Sequence, residues 1–215
     1  MYTSPAMGED KITGTEANLP PDAPQPLLER LSRYRVRISV FIIVALVLKD
    51  LLLKTRPNGY LPETPLGIAG LVLVLAGVLL RSWSAGIIHK SHVLATNGPY
   101  ALARHPLYLG SFFLALGFFL IIGRWGNLIF IVLAAGLLYV PLIRKEEKSL
   151  MKLFGEDWVK YTRHTGSVCP KTYTALSRVF APWSPAQWVK NREYRCAAAS
   201  IAALVLLSVW RVLVE

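Results

Sequence analysis

The chain has 215 residues, 53% of them hydrophobic and only 17% charged, with 24 Lys plus Arg against 13 Asp plus Glu. A soluble domain carries nearer a quarter charged residues, so a water-soluble enzyme is disfavoured from the outset. The formal charge of +11 falls between apolar runs without an aromatic-basic reading motif, which argues against nucleic acid and for anionic lipid headgroups as partners.

Residues 1–26 are mixed polar and hold Pro20, Pro21, Pro24 and Pro26. That composition predicts a flexible tail over 1–32, on the cytoplasmic side, and not a cleaved leader. Residues 33–215 then read as one integral membrane domain. A helix needs about 20 residues to cross a hydrocarbon core of roughly 30 Å. The apolar runs predict five such helices: 36–53; 65–80, continuing as helix to about 88; 106–122; 127–143; and 197–214. Gly123, Arg124, Trp125 and Gly126 make a tight turn between the third and fourth. No polar face repeats at helical spacing within the runs, so soluble core helices are the weaker reading. The expected fold is all-α, a polytopic bundle of about five transmembrane helices with a cytosolic-facing cofactor pocket.

Basic residues orient the bundle. With the N-terminus inside, the inner segments hold Arg30, Arg33, Arg35, Arg37, Lys90, Arg104, Arg144, Lys145, Lys148, Lys152 and most later Lys and Arg. The outer ones hold only Lys54, Arg56, Arg124 and Arg211, a positive-inside pattern. Cys169 and Cys196 face the same cytoplasmic side, and no disulfide is expected. Residues 146–161 read as a helix leaving the membrane, with Leu150, Leu153 and Phe154 on its apolar side and a break or kink at Gly155. Trp183 and Trp188 suggest a segment at headgroup level.

Two polar strips sit at the mouths of these helices. In the first, Asn97-Gly98-Pro99 forms a turn, followed by Tyr100, Arg104, His105 and Tyr108, with Pro106 opening the third span. The free N–H groups of that helix start favour a nearby carboxylate, and the Arg104 fork matches carboxylate geometry. Interfacial anchoring explains Tyr100 as readily as a binding role does. In the second strip, Arg144, Glu146 and Glu147 end the fourth span, where carboxylates are costly unless paired or solvated. They suit either an ion pair with Arg144 or Arg104, or a cationic, hydroxyl-bearing cofactor. Adjacent helical residues point about 100° apart, so one glutamate at most faces a pocket. Glu147 is the preferred cofactor contact, with Glu146 as a structural partner. His89, His92, His105, His164 and Cys169 reproduce no zinc spacing, and no metal is expected.

The run His92-x-Leu94, Gly98-Pro99-Tyr100, Arg104-His105-Pro106-x-Tyr108-x-Gly110 resembles the signature of the isoprenylcysteine carboxyl methyltransferase family, relatives of membrane phospholipid methyltransferases. Glu146-Glu147-x-x-Leu150, Phe154-Gly155, Trp158-x-x-Tyr161 and Pro170 resemble it too, with Trp158 where many relatives carry tyrosine. The similarity covers about residues 65–171. It implies S-adenosyl-L-methionine in a cytosolic pocket. His92, Leu94, Gly98, Tyr100, Arg104, His105 and Tyr108 would line or shape that pocket, Glu146 and Glu147 would close it, and Tyr161 would cover it. It also implies a lipophilic substrate entering from the bilayer.

A carboxylate acceptor is already ionised at neutral pH and needs no general base; an amine acceptor must lose a proton, giving Glu147 or His105 that role. Arg104, or Arg192 or Arg195, is expected to hold a substrate carboxylate. Glu193 and Tyr194, just before the last span, read either as part of a topology anchor or as site contacts. The alternatives to carboxyl methylation are phospholipid N-methylation and, further off, a nicotinamide-dependent sterol or lipid reductase.

Overall fold

The structure, a computed structural model, describes Ala45, Lys49 and residues 64–89, 93–122, 125–171 and 176–214; every named element among them is a helix. The expected first span therefore lies almost wholly outside the described residues, as does His92. The described helices are α1 (Pro65–Ile87), α2 (Pro99–Leu102), α3 (Pro106–Ile122), α4 (Trp125–His164), α5 (Leu176–Val179), α6 (Pro185–Lys190) and α7 (Tyr194–Val214).

Helix α1 starts where Thr64 Oγ1 accepts from Gly67 N at 3.1 Å, with Pro65 in the first turn, where its missing N–H has no intrahelical partner to lose. It packs along α3 through glycines. A Cβ at Gly70 would lie 2.7 Å from Gly117 O, and one at Gly77 would lie 2.8 Å from Gly110 O. Each helix spaces its two glycines by seven residues, close to two turns, so both contacts fall on one seam. Small residues at these positions let the two backbones approach closely. Around the seam, Val74, Leu114, Phe118, Ile121 and Ile122 form the core with Cys196 and Leu207 of α7.

The outward faces are apolar too. Leu66, Ile68, Val72, Leu75 and Leu79 of α1, and Ile201, Val205, Leu206 and Val209 of α7, are all exposed. By length and composition α1 is apolar enough to cross a bilayer, while Pro106–Ile122 and Tyr194–Trp210 are apolar but shorter. Helix α4 joins two segments expected to be separate: residues 127–143 and 146–161 belong to one run, and the break at Gly155 is a kink inside it (φ 52, ψ −119).

Two polar devices hold α7 and the preceding segment to α1. Arg81, in α1, forms a buried fork with Glu193: Nε to Oε1 at 2.6 Å and Nη2 to Oε2 at 3.1 Å. Its Nη1 donates to Ser111 Oγ and to Leu107 O of α3. Glu193 is thus a structural partner of α1, a role that neither reading of the sequence assigned to it. The second device caps the end of α1, whose last carbonyls have no partner within the helix. Asn191 Nδ2 donates to Ala85 O at 2.7 Å, and Ser184 N to Gly86 O at 3.1 Å. Gln187 Nε2 donates to Ile88 O at 2.6 Å, and, a turn before the end, Trp183 Nε1 adds a bond to Ser82 O at 3.0 Å.

Candidate active site

The residue before a proline is pushed out of helical geometry, so His105 and Arg104 ahead of Pro106 need backbone partners from elsewhere. The loop after α4 supplies them: Arg104 N donates to Gly166 O at 2.9 Å and His105 N to Ser167 O at 3.0 Å. Ala103 bridges Gly166 in the same parallel register. The Arg-His strip is thereby fixed between the start of α3 and the far end of α4.

Glu147 of α4 closes this arrangement. Its Oε1 lies 3.0 Å from Arg104 Nη2 and 3.2 Å from His105 Nε2. A carboxylate only accepts, so this contact puts a proton on Nε2 of His105. The hydrogen bond from His105 and the charge of Arg104 outweigh burial and hold the Glu147 carboxyl below the ordinary glutamate value of 4.5. A carboxylate thus stands beside the residues that precede α3, as the helix start favours. Tyr108 does not reach the cleft; it packs between the rings of His105 and Tyr139, at 5.7 and 5.4 Å between centroids.

The cleft itself lies on the other side of Arg104. Ile88, His89, Val93, Leu94 and Ala95 form one wall; Tyr100 and Arg104 form the next; Glu146, Leu150, Leu153, Phe154, Trp158 and Tyr161 form the third. The kink at Gly155 turns residues 156–164 across it. There Tyr161 Oη donates to Tyr100 O at 2.6 Å, and Trp158 lies under the Arg104 guanidinium at 5.7 Å. Burial pushes the Tyr161 hydroxyl above its usual 10.0, so it stays a neutral donor. Gly98, with φ 62, holds the turn before α2, and its N–H donates to Arg178 O at 2.7 Å. A positive φ of this kind favours glycine.

From sequence, Glu147 is the preferred cofactor contact and Glu146 a structural partner. Glu146 lines the cleft and is buried, whereas Glu147 is the ion-pair partner of Arg104 and His105. Spacing does not separate the two: Glu146 precedes Leu150 by four residues and Leu153 by seven, while Glu147 precedes Leu150 by three and Phe154 by seven, so each shares part of that helical face. Arg195 is not brought to the cleft. It starts α7 on an exposed face, its guanidinium 5.9 Å from the Tyr194 ring. Arg192 is likewise exposed. Sequence reasoning missed Ile88, His89, Val93 and Ala95 because this wall is irregular and has no periodicity to read. Among the described residues no three His, Cys, Asp or Glu side chains converge on a metal-ion position.

The cleft offers a carboxylate at Glu146 and a guanidinium at Arg104 within one aromatic and apolar enclosure. Arg104 Nε is buried and has no acceptor among the described residues, a donor left for a ligand. This donor set fits a zwitterionic amino-acid group carried on an aromatic base.

Known proteins bear on this geometry. The phospholipid methyltransferase family matches residues 66–157, which include the cleft's α1 end, the Arg-His strip and both glutamates. The cobalt-zinc-cadmium resistance protein CzcN of Cupriavidus metallidurans is 31% identical over 176 residues, covering 79% of this chain and 80% of that protein. The protein-S-isoprenylcysteine O-methyltransferase of Schizosaccharomyces pombe is 32% identical over 98 residues, 46% of this chain and 42% of that enzyme. The chain therefore spans less than half the length of that enzyme. The solved eukaryotic intramembrane Ras methyltransferase ICMT aligns over 66% of this chain and 52% of its own, with TM-score 0.45 and 24% identity. The chain belongs to one family with CzcN, and over a little under half its length it is related to the phospholipid methyltransferases and protein-S-isoprenylcysteine O-methyltransferases.

Proposed function

We propose that this protein is an integral membrane methyltransferase that uses S-adenosyl-L-methionine to methylate a lipophilic acceptor, the carboxylate of an isoprenylcysteine-like compound. The observation that carries the reading is Glu146 and Arg104 facing one cleft, with a buried donor of Arg104 unused. The bound cofactor supplies a sulfonium-activated methyl group. Glu146 binds its ammonium group, Arg104 Nε its carboxylate, and Trp158 and Tyr100 offer faces to the cationic and aromatic parts. Glu147 holds Arg104 and His105 in place, so the fork reaches the ligand already oriented. Tyr161, tied to Tyr100, keeps residues 156–164 over the cleft and excludes water. An ionised carboxylate acceptor asks nothing further of the protein than alignment. About five spans with the cleft and N-terminus toward the cytoplasm complete the reading. The apolar outer faces of α1 and α7 support the membrane setting, and the acceptor enters from the bilayer.

Phospholipid N-methylation is the second reading, favoured by the family description that matches residues 66–157. An amine acceptor must lose a proton, and the cleft lining holds neither His105 nor Glu147 to take it. Calorimetric titration of detergent-purified protein with the sulfonium cofactor and with reduced nicotinamide cofactors tests the assignment; heat with the latter alone would reject it. Labelled methyl offered to prenylcysteine acids and phosphatidylethanolamine then separates the acceptors. Base-labile label marks an ester, and base-stable label on nitrogen marks the second reading.

A further inference from the structure

Residues 178–195 carry an arrangement that methyl transfer does not use. One side of the segment is fixed to the end of α1 through Trp183, Ser184, Gln187 and Asn191. The other side presents large apolar groups to the outside: Phe180 is 91% exposed and Val189 54%. Exposure of this kind on an anchored segment marks a contact surface.

Charge identifies the partner. Arg178, Lys190, Arg192 and Arg195 are all exposed, whereas the sole acidic residue of the stretch, Glu193, is buried against Arg81. The exposed charge is therefore entirely positive. The segment also sits at a definite level, bound to the last turn of α1 and leading directly into α7, both apolar helices with exposed apolar faces. A surface with aromatic and aliphatic groups on one side, ringed by cations and level with the ends of apolar helices, suits the headgroup layer of an anionic bilayer.

We propose that residues 178–195 form an interfacial anchor on an anionic lipid surface, with Phe180 inserted as its apolar wedge. The anchor rests on the reading of α1 and α7 as membrane helices. Because Gln187 and Asn191 hold Ile88, a wall residue of the cleft, the same segment ties the cleft to the plane of the membrane.

The test places nitroxide labels on the full chain with Cys169→Ser, since Cys169 is exposed and Cys196 buried. Phe180→Cys is the probe, Asp157→Cys an aqueous control and Leu75→Cys a control on the outer face of α1. The protein is reconstituted in phosphatidylcholine bilayers with and without phosphatidylglycerol, and accessibility to oxygen and to a water-soluble nickel chelate is read. The expected result is a label at 180 that favours oxygen, as at 75, and sits deeper when phosphatidylglycerol is present. Nickel access at 180 equal to that at 157, while 75 remains in lipid, overturns the anchor and leaves the membrane helices standing. Nickel access at 75 as well removes the membrane reading itself. Protection of 180 from both reagents with dipolar broadening overturns the anchor in favour of a second copy of the chain.

Discussion

Replacing Glu193 by alanine would strand Arg81 in the interior. Arg81 is 3% exposed, and it makes two of its bonds to Glu193, from Nε and Nη2. The bonds from Nη1 to Ser111 and Leu107 O survive, so two donors lose their acceptors while the charge loses its counterion. Each orphaned buried donor costs about 1–3 kcal/mol, and breaking a buried pair from one side costs about 3–5 kcal/mol; the two routes agree. For a chain of this size that corresponds to a fall in Tm of roughly 6–20 °C, measured by thermal unfolding in detergent. Arg81→Met combined with Glu193→Leu should recover most of the loss, since an apolar pair of similar volume removes the stranded charge together with its partner. A single variant melting within about 2 °C of the parent, or a double variant as labile as the single, would refute the reasoning.

Glu147→Gln should weaken cofactor binding by releasing Arg104, and its effect on stability should depend on pH. The folded carboxyl titrates below its ordinary 4.5. Its contribution is therefore complete above that value and is lost as pH falls through the lower folded value. Melting curves of parent and variant should differ by a constant amount at neutral pH and draw together as pH falls below 4.5 and through the lower folded value; a gap that grows on acidification would contradict this. Gly155→Ala should destabilise by about 1–3 kcal/mol, because φ 52 with ψ −119 is strained for a residue with a Cβ, although nothing lies within 4 Å of the site where that atom would sit. Thermal melts measure it, and an unchanged Tm counts against the backbone argument. Tyr161→Phe removes the 2.6 Å bond to Tyr100 O and should cost about 1 kcal/mol, read by calorimetry as several-fold weaker cofactor binding. Glu146→Gln should impair that binding more than Tyr161→Phe does, with little change in melting.

The helices and the polar strips were legible because local chemistry sets them. Apolar runs gave α1 and α3 nearly their observed limits, Pro106 opened α3 as expected, and Asn97-Gly98-Pro99 turned the chain before α2. The adjacency of Arg104 and His105 to a glutamate was foreseeable in kind, since charges at a membrane surface need partners. Tertiary structure alone decided the rest. Arg81 and Glu193 are 112 residues apart, and each reads locally as an ordinary helix-end charge; only the packing of α1 against α7 removes them from water and makes the pair obligatory. The capping of α1 by Gln187 and Asn191 is likewise invisible in sequence, because unsatisfied carbonyls at a helix end leave no mark on distant residues. The roles of Glu146 and Glu147 belong with these cases. Both stand at helical spacing from Leu150, Leu153 or Phe154, so only the position of α3 and the loop at Gly166 and Ser167 determines which of them meets Arg104 and which meets the cleft.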